Sequence, residues 1–301
     1  MKRQSVLIDE FVDEGATFGE ASHMYIGGDV LYSYGRHFPL LVRRDWGFVL
    51  NADKYSSSTS AHQSQCFASA TIQLPFSTLR EAGIDYMLFN LITHESQRWD
   101  VIGYQRKVKA DFGFDYPVIS VAEYEALDDK YGWYPKEERR PESAVIEQDG
   151  RYFLSSMDGQ QYFICELPEP AETVEDAFTL LKPKEVTTDD YLRQGEWFFV
   201  QANAPMEVLK DGNPIPVGKL NKLMYQTMEQ KFVLPNRDTG GSSHIATRGI
   251  MLNGETYVSG HIRHSRREHP MLKLSNADSP LIFKAYENRA IGSWSADGRV
   301  D

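Results

Sequence analysis

The chain has 301 residues, 41% hydrophobic and 25% charged, with a net charge of −11. That length supports a substantial core and suggests two domains, and the composition excludes wholesale disorder. The acidic balance excludes a generic nucleic-acid coat or a basic membrane-surface protein, because phosphate binding needs Lys and Arg to displace counterions. A local basic patch remains compatible with it.

The N-terminal MKRQSVLIDEFVDEG starts basic, but acids interrupt it before an apolar segment forms, so no signal peptide is expected. No run approaches the roughly 18 apolar residues of a membrane span, and a cytoplasmic protein is expected. Residues 1–28 read as a loosely ordered lead-in ending at the Gly27-Gly28 turn signal. VLYSYG, FPLLVRR and WGFVLN then read as three strands. The hydroxyl-rich stretch that follows offers N-caps near Ser58 to Ser60 for a helix over AHQSQCFASATI. FSTLREAGI reads as a helix with a glycine stop, while the apolar YMLFNLITHES fits helix or strand equally. SVAEYEALDDKYG is a helix capped by Ser120.

YPKEERRPES, charged and bounded by prolines, is a candidate boundary or exposed loop. After it come three strands with turns at Asp149-Gly150 and Asp158-Gly159, then a helix over TVEDAFTLL capped by Thr173. EWFFVQAN is a strand, and KLNKLMYQTMEQKF reads as a helix. GIMLNGETYVSGHIRH is a hairpin turning at Asn253-Gly254, and MLKLS a further strand. The fold expected is α+β: short antiparallel sheets with packed helices and a mainly β C-terminal region. The units expected are a lead-in (1–28), a β-β-β-α unit plus helices (29–135), a central hairpin and helix unit (144–185) and a C-terminal antiparallel region (195–301).

Cys66 and Cys165 are far apart and in no CxxC, so thiolate zinc and a disulfide framework are both disfavoured, and two buried free thiols are expected. The chain lacks a Walker loop, a GxGxxG and a GxSxG.

Four of the eight histidines, His244, His261, His264 and His269, fall in one window with Arg248, Arg263, Arg266 and Arg267. The acids there are Glu255 and Glu268, so the window carries a net +2. If YVSGHIRH is a strand, side chains alternate, and His261 shares a face with Arg263 while His264 points to the other. A site using both histidines needs a bulge, for which Gly260 is the candidate. The four histidines are candidate acid–base groups, and the four arginines candidate anion ligands. His264, Glu268 and His269 are a partial set for a divalent metal, the lesser alternative, and no cofactor is expected. His37, Ser60 and His62 form a second candidate anion site, at the start of the expected helix.

The strings LYSYGRHFPLL, LNADKYSSSTSAHQSQ, RYFLSS…YFICELP, RQGEWFFV and VSGHIRHSRREHPMLKL occur in that order between residues 31 and 274. With them the chain resembles an uncharacterised family of proteins carried by bacteriophages, plasmids and related mobile elements. The resemblance implies such an origin and a bacterial cytoplasm, and transfers no catalytic residue. The function expected is an accessory protein that binds a protein or nucleic-acid partner. The alternatives are a histidine-dependent phosphoesterase or nuclease, with or without a metal, and a virion or assembly component.

Overall fold

The computed structural model describes residues 3–36, 38–106, 118–158, 161–203, 216–235, 244–265 and 270–296. Among these the fold is mostly β with six helices, roughly α+β, and the C-terminal part is β-rich.

Order begins earlier than the sequence suggests. Helix α1 (Gln4–Val12) buries Leu7, Ile8 and Phe11, while Asp9 and Asp13 face solvent. Leu7 and Phe11 are both 0% exposed. Each such burial contributes roughly 1.5–3 kcal/mol. That holds a nine-residue helix that would not persist alone. The hairpin β1 (Phe18–Ala21) and β2 (Met24–Gly27) follows, so residues 4–27 belong to the core and are not a loose lead-in.

Strands β3 (Val30–Ser33), β4 (Pro39–Arg44) and β5 (Gly47–Asn51) continue an antiparallel meander. Helix α2 (Ser57–Cys66) then crosses over to β6 (Ile72–Leu74), which lies parallel to β5. This parallel pair departs from the antiparallel pattern expected. The cap of α2 is Ser56, whose Oγ accepts from the Thr59 N–H at 3.2 Å. Ser58 to Ser60 therefore lie inside the helix and do not cap it. The burial of Thr59, His62 and Cys66 against the sheet outweighs their modest helix propensity.

The middle of the chain contributes α3 (Phe76–Glu81), β7 (Asn90–Glu95), β8 (Arg98–Arg106), α4 (Val121–Glu125) and β9 (Trp133–Arg140). It continues with β10 (Ser143–Gln148), β11 (Arg151–Asp158), β12 (Gln161–Glu166) and α5 (Val174–Leu181). The ambiguous apolar run is thus a strand, β7. Most of the charged stretch expected as a boundary loop is β9, paired with β8 in a two-stranded ribbon. Ser120 and Thr173 cap their helices as expected.

The last third holds β13 (Leu192–Gln194), β14 (Trp197–Ala202), α6 (Val217–Thr227), β15 (Glu229–Val233), β16 (His244–Leu252), β17 (Glu255–His264), β18 (Leu272–Lys273), β19 (Ile282–Glu287) and β20 (Ser293–Ala296). Helix α6 stops at Thr227, and the MEQKF expected to prolong it is largely β15, because Met228 turns extended and is buried.

β1 to β6 form the first sheet in chain order. The second runs β20-β12-β11-β10-β7 and so draws strands from residues 90–95, 143–166 and 293–296. It cuts across the expected boundaries at 135–144 and 185–195. The first two sheets share one core, in which Val42, Val49 and Ile72 meet Ala144, Ile146 and Phe153. The third sheet runs β13-β14-β19-β17-β16-β15, with β18 beside β17. It curls around its own core of Phe199, Ala246, Val258 and Ile262, while α6 packs Leu220 on the outer face against Tyr257 and Ile282. Among the described residues, no helix is long and apolar enough to cross a membrane.

Candidate functional site

The β16–β17 hairpin has two chemically distinct faces. Its turn is Asn253-Gly254, with φ of +52° and +80°, the geometry an Asn-Gly hairpin needs. His244 pairs with His264, Ile245 with Arg263 and Ala246 with Ile262. The register then slips at Thr247, and Arg248 pairs with Ser259. Before the slip, even-numbered residues of β16 face the core: Ala246 packs with Ile262. After it, even-numbered residues face outward: Ile250 and Leu252 pack beside α6. One extra residue in one strand reverses the alternation. The bulge is therefore what turns Arg248 outward.

Two further features fall on the same line. Gly260 has φ +88°, and a Cβ there would lie 2.7 Å from the Cβ of Thr247. The Thr247 Oγ1 accepts from the His261 N–H at 3.0 Å and donates to the His261 carbonyl at 3.3 Å. On β15, Lys231 has φ +54° and stands opposite Thr247 between the pairs Gln230–Arg248 and Phe232–Ala246. A left-handed lysine costs about 1–2 kcal/mol. The sheet thus bends along a line crossing β15, β16 and β17.

The bend makes a pocket of about 540 Å³ on the outer face, lined among others by Tyr225, Lys231, Arg248, His261, Arg263 and Met271. The Arg248 Nη1 donates to the Met228 carbonyl at 3.1 Å, and its guanidinium carbon lies 4.9 Å from the Tyr225 ring centroid. Arg248 is thereby held in place with donors to spare. No described lining residue carries a carboxylate. Three permanent cations and an imidazole so placed give the pocket a positive lining with donors suited to bidentate contact with an anion. Of the candidate residues, the pocket brings together Arg248 and Arg263, named as anion ligands, with His261, named as an acid–base group. Tyr225 and Lys231 carried no sequence signal, because the stretch containing them reads as one continuous helix.

His244 and His264 lie on the other face, both buried, with ring centroids 4.9 Å apart. The Nδ1 of His244 is 3.3 Å from Oε1 of Glu196, in the turn between β13 and β14. Burial pushes the Glu196 carboxyl up, but the contact with His244 and the charge of His264 outweigh it and hold it below the usual carboxylate range. The bulge does not reunite His264 with His261. The candidate acid–base histidines are therefore divided, His261 outside and His244 with His264 inside. Arg266, Arg267, Glu268 and His269 lie outside the described residues, as does His37. Among the described residues no group of three or more His, Cys, Asp or Glu could hold a metal ion.

Of the second candidate anion site, the described residues Ser60 and His62 differ in setting. Ser60 is exposed in the body of α2, while His62 is buried beneath Tyr34, their rings stacked at 5.4 Å. Both His62 ring nitrogens are engaged, Nδ1 with Ser33 Oγ at 2.7 Å and Nε2 with Gln4 Nε2 at 3.0 Å. Burial, and then the charge of His23, lower its pKa, so the ring is a neutral core group.

A cleft of about 950 Å³ lies between the second sheet, α5 and the β13–β14 edge. Three of its four cations are matched by carboxylates, Arg98 and Arg140 by Asp100 and Lys182 by Asp189, and the fourth, Arg193, donates to the Gly195 carbonyl at 3.0 Å. The outer-face pocket is the better anion site for that reason. No protein-family model, curated protein or solved structure matches the chain.

Proposed function

We propose that this chain is an accessory protein of a bacteriophage, plasmid or related mobile element, acting in the bacterial cytoplasm by binding a nucleic-acid partner without a reaction of its own. The observation that carries the reading is the convergence of Lys231, Arg248, His261 and Arg263 on one concavity free of carboxylates among its described lining. Arginine forks match phosphate oxygens, and a fixed guanidinium loses little freedom on binding. Binding is favoured over hydrolysis because acid–base work on one phosphate needs its groups within hydrogen-bond reach of it. Two of the histidines that would supply such groups face the core.

The test is fluorescence anisotropy with labelled oligonucleotides between 50 and 200 mM salt. Three pocket cations predict a slope of log K against log salt of about −2, at roughly −0.7 per phosphate on a single strand. Arg248→Ala and Arg263→Ala should each weaken binding about five- to tenfold and flatten the slope. Absence of binding at the lower salt overturns the reading, and cleavage of the labelled strand would favour the phosphoesterase alternative.

A further inference from the structure

Two cations outside the pocket adjoin it. Lys273 is the cross-strand partner of His261. Opposed residues of an antiparallel pair project to the same face, so Lys273 lies on the outer face beside the pocket. On the other side Tyr225 of α6 lines the pocket, and Lys222, exposed, stands three residues before it on the same helical face. Lys222 on α6 and Lys273 on β18 thus flank the pocket that holds Lys231, Arg248, His261 and Arg263.

From this we infer that the outer face carries a path for single-stranded nucleic acid, running from Lys222 on α6 into the pocket on β15, β16 and β17 and out to Lys273 on β18. The inference rests on the nucleic-acid reading and specifies the form of the partner. Adjacent strands lie about 4.8 Å apart, so the four strands span about 14 Å. At about 3.4 Å per charge along a stacked strand, that distance matches about four phosphates, and Lys222 adds about one more. A strand of about five nucleotides fills the path.

Shape selects the single strand. The central cations sit in a concavity between Tyr225 and Met271. A flexible, stacked strand can lower its phosphates into such a concavity and turn a single base onto the π-faces there, the Arg248 guanidinium and Tyr225 among them. A duplex presents a stiff convex surface that meets only the rim. The net charge of −11 adds a limit, since strand extending past the path meets an acidic protein and gains little.

The experiment measures affinity for oligothymidylates of increasing length and for a duplex of matched length, using the full chain and the double variant Lys222→Gln/Lys273→Gln. Both lysines are exposed, so the fold should survive, and an unchanged melting temperature verifies this. Affinity should rise up to about five nucleotides and then level, with a salt slope near about −3.5 for five cations. The double variant should return the slope to about −2 and weaken binding about tenfold or more. The duplex should bind at least about tenfold more weakly than the single strand. A slope that the double variant leaves unchanged, or equal affinity for duplex and single strand, overturns the path and leaves the nucleic-acid reading standing. No binding of any nucleic acid at 50 mM salt overturns both.

Discussion

His244 and His264 oppose each other directly across β16 and β17, their rings edge-on at 4.9 Å and 64°. One residue along, Ile245 and Arg263 oppose each other on the other face of the sheet. The same two strands therefore build a buried polar contact inside and a cationic pocket outside. The inner contact includes Glu196, which ties the β13–β14 turn to the free end of the hairpin.

Glu196→Gln tests that tie. The Glu196 pKa is depressed in the folded chain, so the carboxylate contributes stability that is present above the usual carboxylate range and lost as pH falls through it. The variant should lose roughly 1–3 kcal/mol at pH 7 and show a flatter acid limb between pH 5 and 3, in urea titrations at each pH. An equal loss at every pH would contradict the assignment.

Lys231 should be stabilised by glycine. Its φ of +54° is strained for lysine and free for glycine. Lys231→Gly should gain about 1 kcal/mol in chemical denaturation and at the same time weaken oligonucleotide binding through the lost cation. A site-bearing strain predicts that opposition of stability and binding.

Glu142 acts in the opposite pH sense to Glu196. Its carboxylate accepts from the backbone N–H of Gln73 at 3.2 Å and from Gln73 Nε2 at 3.3 Å, joining β6 to the start of β10. Burial pushes it up to about 7, against 4.5 for an ordinary glutamate. The folded chain therefore holds a proton there that the unfolded chain releases, and stability falls as pH rises from 4.5 to about 7. Glu142→Gln keeps an acceptor for Gln73 and removes the charge. It should raise the melting temperature at pH 8 by about 2 °C or more and leave it little changed at pH 4.5.

Cys66 and Cys165 are free and buried, with burial pushing their thiols up to about 12 and about 11. The thiolate is the reactive form. Neither thiol should react with a disulfide reagent at pH 8 in the native state, and both should react at once in denaturant. Rapid native labelling of one would place it at an exposed site.

Local chemistry was legible wherever a residue type answers a local demand. Ser120 and Thr173 cap helices, and Asn253-Gly254 turns a hairpin, because each requirement is met within a few residues. The period-2 alternation of β17 also placed His261 with Arg263 and against His264. Long-range choices were not legible. The run at Asn90 became a strand because β10 offered an edge to pair with, and MEQKF left the helical pattern because β16 did the same. A pairing partner far along the chain overrides local propensity.

The sequence alone therefore determined that a cationic window lies in an acidic chain, and which of its side chains alternate along a strand. Only the tertiary structure decided that Arg248 joins them. One extra residue in β17, where Gly260 and His261 stand opposite Thr247, reverses the face of the later residues of β16, and Lys231 arrives from a neighbouring strand whose pairing no local pattern encodes. It also withdrew His62, because Ser33 and Gln4, distant in the chain, occupy both its nitrogens in the core.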